Sequence, residues 1–272
     1  MSDRSDDYRG PNVPTRLLME AAVRLAKKRN AASKRHVPSP SSVDNCTRRN
    51  WFSETGIPPS QDPDAESFFS AESGRLTESL ITDVVNESGL GCVEPLTEGE
   101  REIPKVALAR FNLGGGQFDQ MMIEPGVRGE DADVVLLEYK RKGAFDILDL
   151  HRKGLREAIA RDYQQVQLLM ATTKLVRCLY IAVNWDRGAL TSSSRSWAIR
   201  PTGIYAEWID AVPAAAVAAA QRAAMQTKYI TTEKVAARVP RDYDPHGGQK
   251  ADWHCRFCPW WKTCLAAEKY TK

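Results

Sequence analysis

Apolar positions along this chain keep helical spacing in some stretches and strand spacing in others. From Glu66 to Glu87 they recur as Phe68, Phe69, Leu76, Leu80, Ile81, Val84 and Val85, the stripe of an amphipathic helix, which places Glu78 on that helix. From Gly89 to Lys142 the runs shorten and are broken by Gly114-Gly115-Gly116 and by Glu124-Pro125-Gly126, so the pattern predicts a meander of strands. The last run, Asp133-Val-Val-Leu-Leu-Glu-Tyr-Lys140, is apolar without alternation, the texture of a strand covered on both faces. Beyond it the periodicity predicts a helix over 149–173, a strand over 175–185, a second strand near 197–200 and an Ala-rich helix over 204–229.

Upstream, residues 1–14 read as a flexible tail and 15–35 as a basic amphipathic stretch. Pro38–Ser42 interrupts it; Ser41 or Ser42 can then cap a short helix carrying Cys46, Arg48, Trp51 and Phe52 that ends at Gly56-Ile-Pro-Pro. This order of elements predicts an α/β fold, a central mixed β-sheet flanked by helices, as one domain over 15–272. No internal repeat and no G-x-x-x-x-G-K-[ST] phosphate loop is present, so the chain is not its own motor.

Composition changes this picture little. Apolar residues make up 42% and charged residues 27%, which excludes a disordered or fibrous chain. A net charge of +3 does not mark a nucleic-acid binder by itself, but the basic residues are uneven. Lys27, Lys28, Arg29, Lys34 and Arg35 form one cluster, Arg48-Arg49 follows Cys46, and Arg141-Lys142 follows Lys140. Each reads either as a solvated face or as part of a DNA-facing stripe. The polar start MSDRSDDYRG and the lack of any run near the ~20 apolar residues of a membrane span predict a cytoplasmic protein without a membrane partner. In that reducing compartment six cysteines point to metal ligation or burial rather than disulfides.

Candidate chemistry lies in Gly116-Gln-Phe-Asp119 and Glu138-Tyr-Lys140. Phosphodiester cleavage needs a divalent ion against the phosphoryl oxygens, an acidified water and a cation near the developing charge. Asp119 and Glu138 are hard oxygen ligands suited to magnesium or manganese, and they converge if their strands pair as a hairpin around 124–131. Strand alternation puts Glu138 and Lys140 on one sheet face. A lone E-x-K is usually just a strand leaving the core; the preceding G-x-x-D, Glu78 on its helix and later glutamines alter that balance.

These residues resemble the PD-(D/E)XK nuclease superfamily in its RecB-like branch, which implies a restriction-endonuclease-like core, here over 66–203. By that resemblance Asp119 and Glu138 bind the metal, the Tyr139 backbone carbonyl adds a ligand, and Lys140 positions or activates water. Many RecB-like members carry a histidine on the preceding helix; Gly74-Arg-Leu-Thr-Glu78 offers a carboxylate instead. The family's glutamine helix is matched by Tyr163-Gln-Gln-Val-Gln-Leu-Leu-Met, with Gln165 the preferred counterpart and Gln167 next. Leu169 stands where the family has tyrosine. Arg48, Arg49, Arg141, Lys142 and Gln167 are the candidate DNA contacts.

Cys46 stands alone, while Cys255, Cys258 and Cys264 follow a C-x2-C-x5-C spacing more than two hundred residues later. Four soft thiolates suit zinc or an iron-sulfur cluster, and zinc sites usually bring two close pairs. The one-and-three division resembles the 4Fe-4S site of AddB-type and CRISPR-associated RecB-like exonucleases, which implies a cluster region formed by 41–56 and 250–272. Such a group would staple both ends of the chain around the core. His254 is a spare ligand candidate, and Cys92 and Cys178 read as core residues. The resemblance implies a metal-dependent DNA exonuclease acting on single strands, with 5′-to-3′ polarity, in bacteriophage-type recombination, repair or DNA processing, where a helicase or recombination partner is open. The alternatives are a non-catalytic DNA-binding scaffold that keeps the cluster and a zinc-stapled restriction-like endonuclease.

Overall fold

The computed structural model describes residues 20–24, 37–60, 65–93, 96–123, 134–184, 203–244, 246, 253–256 and 258–269. The basic cluster over 27–35, the turn over 124–131 and the strand expected near 197–200 lie outside them.

A five-stranded mixed sheet organises the chain, in the order β1 (Cys92–Val93), β2 (Gln120–Ile123), β3 (Val134–Arg141), β4 (Arg177–Val183), β5 (Ile204–Asp210). The pairs β1/β2, β2/β3 and β4/β5 are antiparallel, and β3/β4 is parallel. A parallel pair needs a long crossover, here α4 (Ala144–Ala158) and α5 (Ala160–Thr173). Besides a helical stretch over 20–24, the remaining described helices are α1 (Thr47–Glu54), α2 (Ala65–Ser88), α3 (Lys105–Ala109), α6 (Pro213–Thr232), α7 (Trp253–Arg256) and α8 (Trp261–Lys269), with a 3-10 turn over Ala236–Arg238.

Alternation along β3 divides the core. Leu136 faces Ile147, Leu150, Leu155, Val166, Leu169 and Tyr180 on the side of α4 and α5. Val135, Leu137 and Tyr139 face the other side, against Ile81 and Val85 of α2 and Leu179 and Ile181 of β4. Hydrophobic cover on both sides therefore produces the unbroken apolar run of the sequence. A third apolar cluster joins Trp51 and Phe52 of α1 to Ile230 of α6, Val239 and the partly buried Trp260 and Cys264, so packing already ties the early helix to the carboxy-terminal segment.

Several boundaries differ from the sequence expectation. Residues 204–210 form β5, and the Ala-rich helix begins only at Pro213; the alanines that follow directly mask Ile204, Tyr205 and Ile209 as strand residues in the local pattern. The helix expected over 149–173 is two helices starting at Ala144. Gly154 lies inside α4 at φ 74°, a region costly to L side chains, and the chain bends there so that Leu155 N donates to Glu207 Oε2 at 2.8 Å. The meander over 89–142 also contains α3, whose five residues are too few to show a periodicity. Neither Ser41 nor Ser42 caps α1. Cys46 is its N-cap residue, and the free Thr47 N–H is taken by Asp242 Oδ2 at 2.7 Å. Cys92 is exposed on the edge strand β1 rather than in the core, whereas Cys178 is buried. Among the described residues no helix is long and apolar enough to cross a membrane.

Candidate active site and thiol wall

Asp119 precedes β2 by one residue, and the register Gln120 to Leu137 sets it across from Glu138. Its Oδ2 accepts the Tyr139 backbone N–H at 2.7 Å, which fixes the carboxylate at the end of the hairpin. The close course of the preceding chain depends on Gly116, where a Cβ would stand 3.0 Å from Pro40 Cδ. Glu138 is 1% exposed. Its Oε1 accepts from both Lys140 Nζ and Gln165 Nε2, the latter at 2.7 Å, while Oε2 is a buried acceptor with no donor. Asp119, Glu138, Lys140 and Gln165 are thus brought together, Gln165 by the helical face that α5 turns toward β3.

Charge in this cluster follows from its burial. Burial, then the charge of Asp119, pushes the Glu138 carboxyl up to about 8 despite Lys140. Burial likewise raises Asp119, against the pull of Lys140 and the Tyr139 N–H. For Lys140 burial opposes the charged form, but Glu138 and Asp119 outweigh it and hold the ammonium protonated above its ordinary value.

Glu78 sits elsewhere in the arrangement. Its Oε2 pairs with Arg101 Nη1 at 3.1 Å, and it lines a small cavity with Gly74, Thr77, Tyr139, Lys140 and Arg141. The Tyr139 hydroxyl belongs to this α2 side, 3.4 Å from Thr82 Oγ1, and is pushed up to about 12, chiefly by burial.

Three of the basic or amide positions read as DNA contacts are occupied within the protein. Gln167 is buried and bridges Asp210 O at 3.0 Å and Val212 N at 2.6 Å, which holds β5 to the start of α6. Lys142 Nζ pairs with buried Asp162 Oδ2 at 2.6 Å, and Tyr180 OH donates to the same oxygen at 2.7 Å. Arg48 donates through Nε and Nη2 to Val239 O at 2.9 and 2.6 Å and through Nη1 toward Cys264 Sγ at 3.7 Å. Arg49 lines the main cavity, and Arg141 is exposed with Nη1 donating to Ser73 Oγ at 2.7 Å. Asp162 and Arg101 belong to the site without having been singled out by motif. Asp162 lies three residues before Gln165, on the same face of α5, and that spacing could have revealed it; Arg101 carries no such signal.

Cys46, Cys255, Cys258 and Cys264 line one cavity of about 710 Å³, and Lys140, Lys142 and Gln165 line it too. The thiol wall therefore shares a space with Lys140 and Gln165, the two side chains that hold Glu138, whereas Asp119 lines a separate, smaller cavity with Gly116, Gln117 and Gln165. Burial raises the thiols of Cys258 and Cys264, with the neighbouring Cys46 adding to both, while Arg49 lowers the first and Arg48 the second. His254 faces the same cavity and stacks on Tyr243 at a centroid distance of 3.9 Å. Trp260 packs inward, its Nε1 donating to Ile57 O at 2.8 Å. Among the described residues no group of three or more His, Cys, Asp or Glu side chains stands in position to hold a metal ion.

No family model matches the chain, and no curated protein matches it. Among solved structures the fold is similar to the crystal structure of SSO0001, with a TM-score of 0.47 and 15% identity over 93% of this chain and 97% of that one. It is also similar to an alkaline exonuclease, LHK-Exo, from Laribacter hongkongensis, with a TM-score of 0.49 and 14% identity over 76% of this chain and 93% of that one. At these TM-scores neither likeness assigns a family or an activity to the chain.

Proposed function

We propose that this chain is a metal-dependent nuclease that hydrolyses phosphodiester bonds in DNA. The observation that carries the reading is the convergence of Asp119, Glu138, Lys140 and Gln165 at one point, with Glu138 Oε2 buried and without a donor. Two carboxyls raised by burial, Glu138 further by the charge of Asp119, call for a positive charge beyond Lys140, and their hard oxygens fit magnesium or manganese. Asp119 and Glu138 are the proposed ligands, with the Tyr139 carbonyl beside them and Glu78, held by Arg101, at the margin. When bound, such an ion would offset charge on the phosphoryl oxygens and acidify water.

The residues of the chain supply the rest. Gln165 orients Glu138 through Oε1. Lys140 keeps its proton, so its part is electrostatic: an ammonium fixed next to the negative charge that develops during hydrolysis. Single-stranded DNA as substrate and 5′-to-3′ exonucleolytic polarity are the finer proposal, resting on the resemblance of D…E-x-K and the glutamine helix to RecB-like nucleases.

The four thiols face one cavity beside two arginines without standing together as a ligand set; what supports a thiolate-bound metal group is their sequence pattern, a lone Cys46 and C-x2-C-x5-C, which favours a 4Fe-4S cluster over zinc and would require the thiols to draw together on binding. Its proposed role is to hold the terminal segments in place. Substitution of Lys140 tests the assigned chemistry: Lys140→Ala should bind manganese in calorimetry yet turn over at least about a hundredfold more slowly. Turnover at the original rate would remove the lysine from the reaction.

A further inference from the structure

Most charges around the large cavity are matched: Arg48 by Val239 O, Lys140 by Glu138, Lys142 by Asp162. Arg49 is different. Among the described residues its guanidinium meets no hydrogen-bond acceptor and no carboxylate, although it is half-buried in the wall between the thiols and α5. Burial first, then the like charge of Arg161, act against its ionised form, and only the Cys258 and Cys46 thiols favour it. Arg161, in the first turn of α5, reaches across to Ser41 O at 3.3 Å and lines the same cavity. Asp44 and Asp146 also border that space, yet neither pairs with either arginine.

Two guanidiniums close enough to repel, facing a space shared with Lys140 and Gln165, form an arrangement that an anion completes. A guanidinium presents planar, paired donors, the geometry that grips phosphate oxygens two at a time. We propose that Arg49 and Arg161 clamp a phosphate group of the substrate strand between the reaction centre and the thiol wall. The clamp rests on the nuclease reading for the identity of that strand. It positions the backbone and reads no base, so its contribution should be uniform across sequences. An internal phosphodiester and a 5′-terminal phosphate share this chemistry.

The test is anisotropy of a dye-labelled single-stranded oligonucleotide with the full chain, in chelator so that nothing is cleaved, over a series of salt concentrations. Arg49→Ala and Arg161→Ala should each weaken binding about tenfold and lower the salt slope by about 0.7, the value for one lost phosphate contact on a single strand. Arg161→Lys should keep part of the affinity, since the charge remains and the fork is lost. Losses equal for 5′-phosphorylated and 5′-hydroxyl strands assign the clamp to an internal phosphodiester; losses confined to the phosphorylated strand assign it to the terminus. Unchanged affinity and slope in both alanine variants would overturn the clamp, as would an Arg49→Ala loss that only tracks lost metal content, which would make Arg49 a partner of the thiols. Binding is read without turnover, so failure of the clamp leaves Asp119-dependent cleavage standing, and a chain that binds through the clamp without cleaving counts against hydrolysis alone.

Discussion

At the residue scale, Glu138 holds the most informative proton in the molecule. Its carboxyl is raised to about 8 in the folded chain, so between the ordinary carboxylate value and that pH the folded chain keeps a proton that the unfolded chain has released. Stability without divalent ions should therefore fall as pH rises through this window. Glu138→Gln, which cannot titrate, should flatten the dependence. Melting temperatures of both proteins between about pH 5 and 8, with chelator present, check this; equal slopes would remove Glu138 as the cause. The D…E-x-K residues were legible in the sequence because strand alternation dictates which side chains share a face, and the hairpin register brought Asp119 opposite Glu138. The fates of Lys142 and Gln167 were not legible: their partners Asp162, Asp210 and Val212 come from other elements, and although Asp162 shares a helical face with Gln165, no local spacing pairs it with Lys142 or pairs Gln167 with the strand end.

At the scale of elements, α1 is held by a buried arginine rather than by its own cap. Arg48 sends two donors to Val239 O and one to Ala237 O at 3.2 Å, joining α1 to the turn that follows α6. Asn50 continues the seam through Gln226 Oε1 at 2.9 Å, and Gln226 in turn donates to Val43 O at 2.9 Å. Arg48→Ala should leave these carbonyls unmatched and lower stability by about 2–4 kcal/mol; urea unfolding with an unchanged slope would measure it, and a change under about 0.5 kcal/mol would count against the seam. The helix α2 could be read from its periodicity and β3 from its unbroken apolar run, whereas β5 could not. Its residues run directly into the alanines of α6, and the boundary is drawn by pairing with β4, a contact invisible to local pattern.

Across the whole molecule, one cavity joins the two candidate chemistries. Lys140 and Gln165, which hold Glu138, line it together with the four thiols, and the Trp51, Phe52, Ile230 and Val239 cluster joins the early helix to the carboxy-terminal segment. If the thiols bind an iron-sulfur cluster, protein purified without oxygen should be brown, and Cys258→Ser should lose colour and iron together while melting earlier. A colourless protein containing zinc would replace iron-sulfur with the simpler metal, and full metal content in the variant would release Cys258 from ligation.

The central claim is that Asp119 and Glu138 with Lys140 form a hydrolytic centre. Release of label from end-labelled single-stranded DNA, followed with manganese and with chelator for the unaltered chain and for Asp119→Ala, tests it most directly. Release is expected only with manganese, with a fall of at least about a hundredfold in the variant and unfolding behaviour preserved; release by Asp119→Ala at the unaltered rate would contradict a hydrolytic role for this centre.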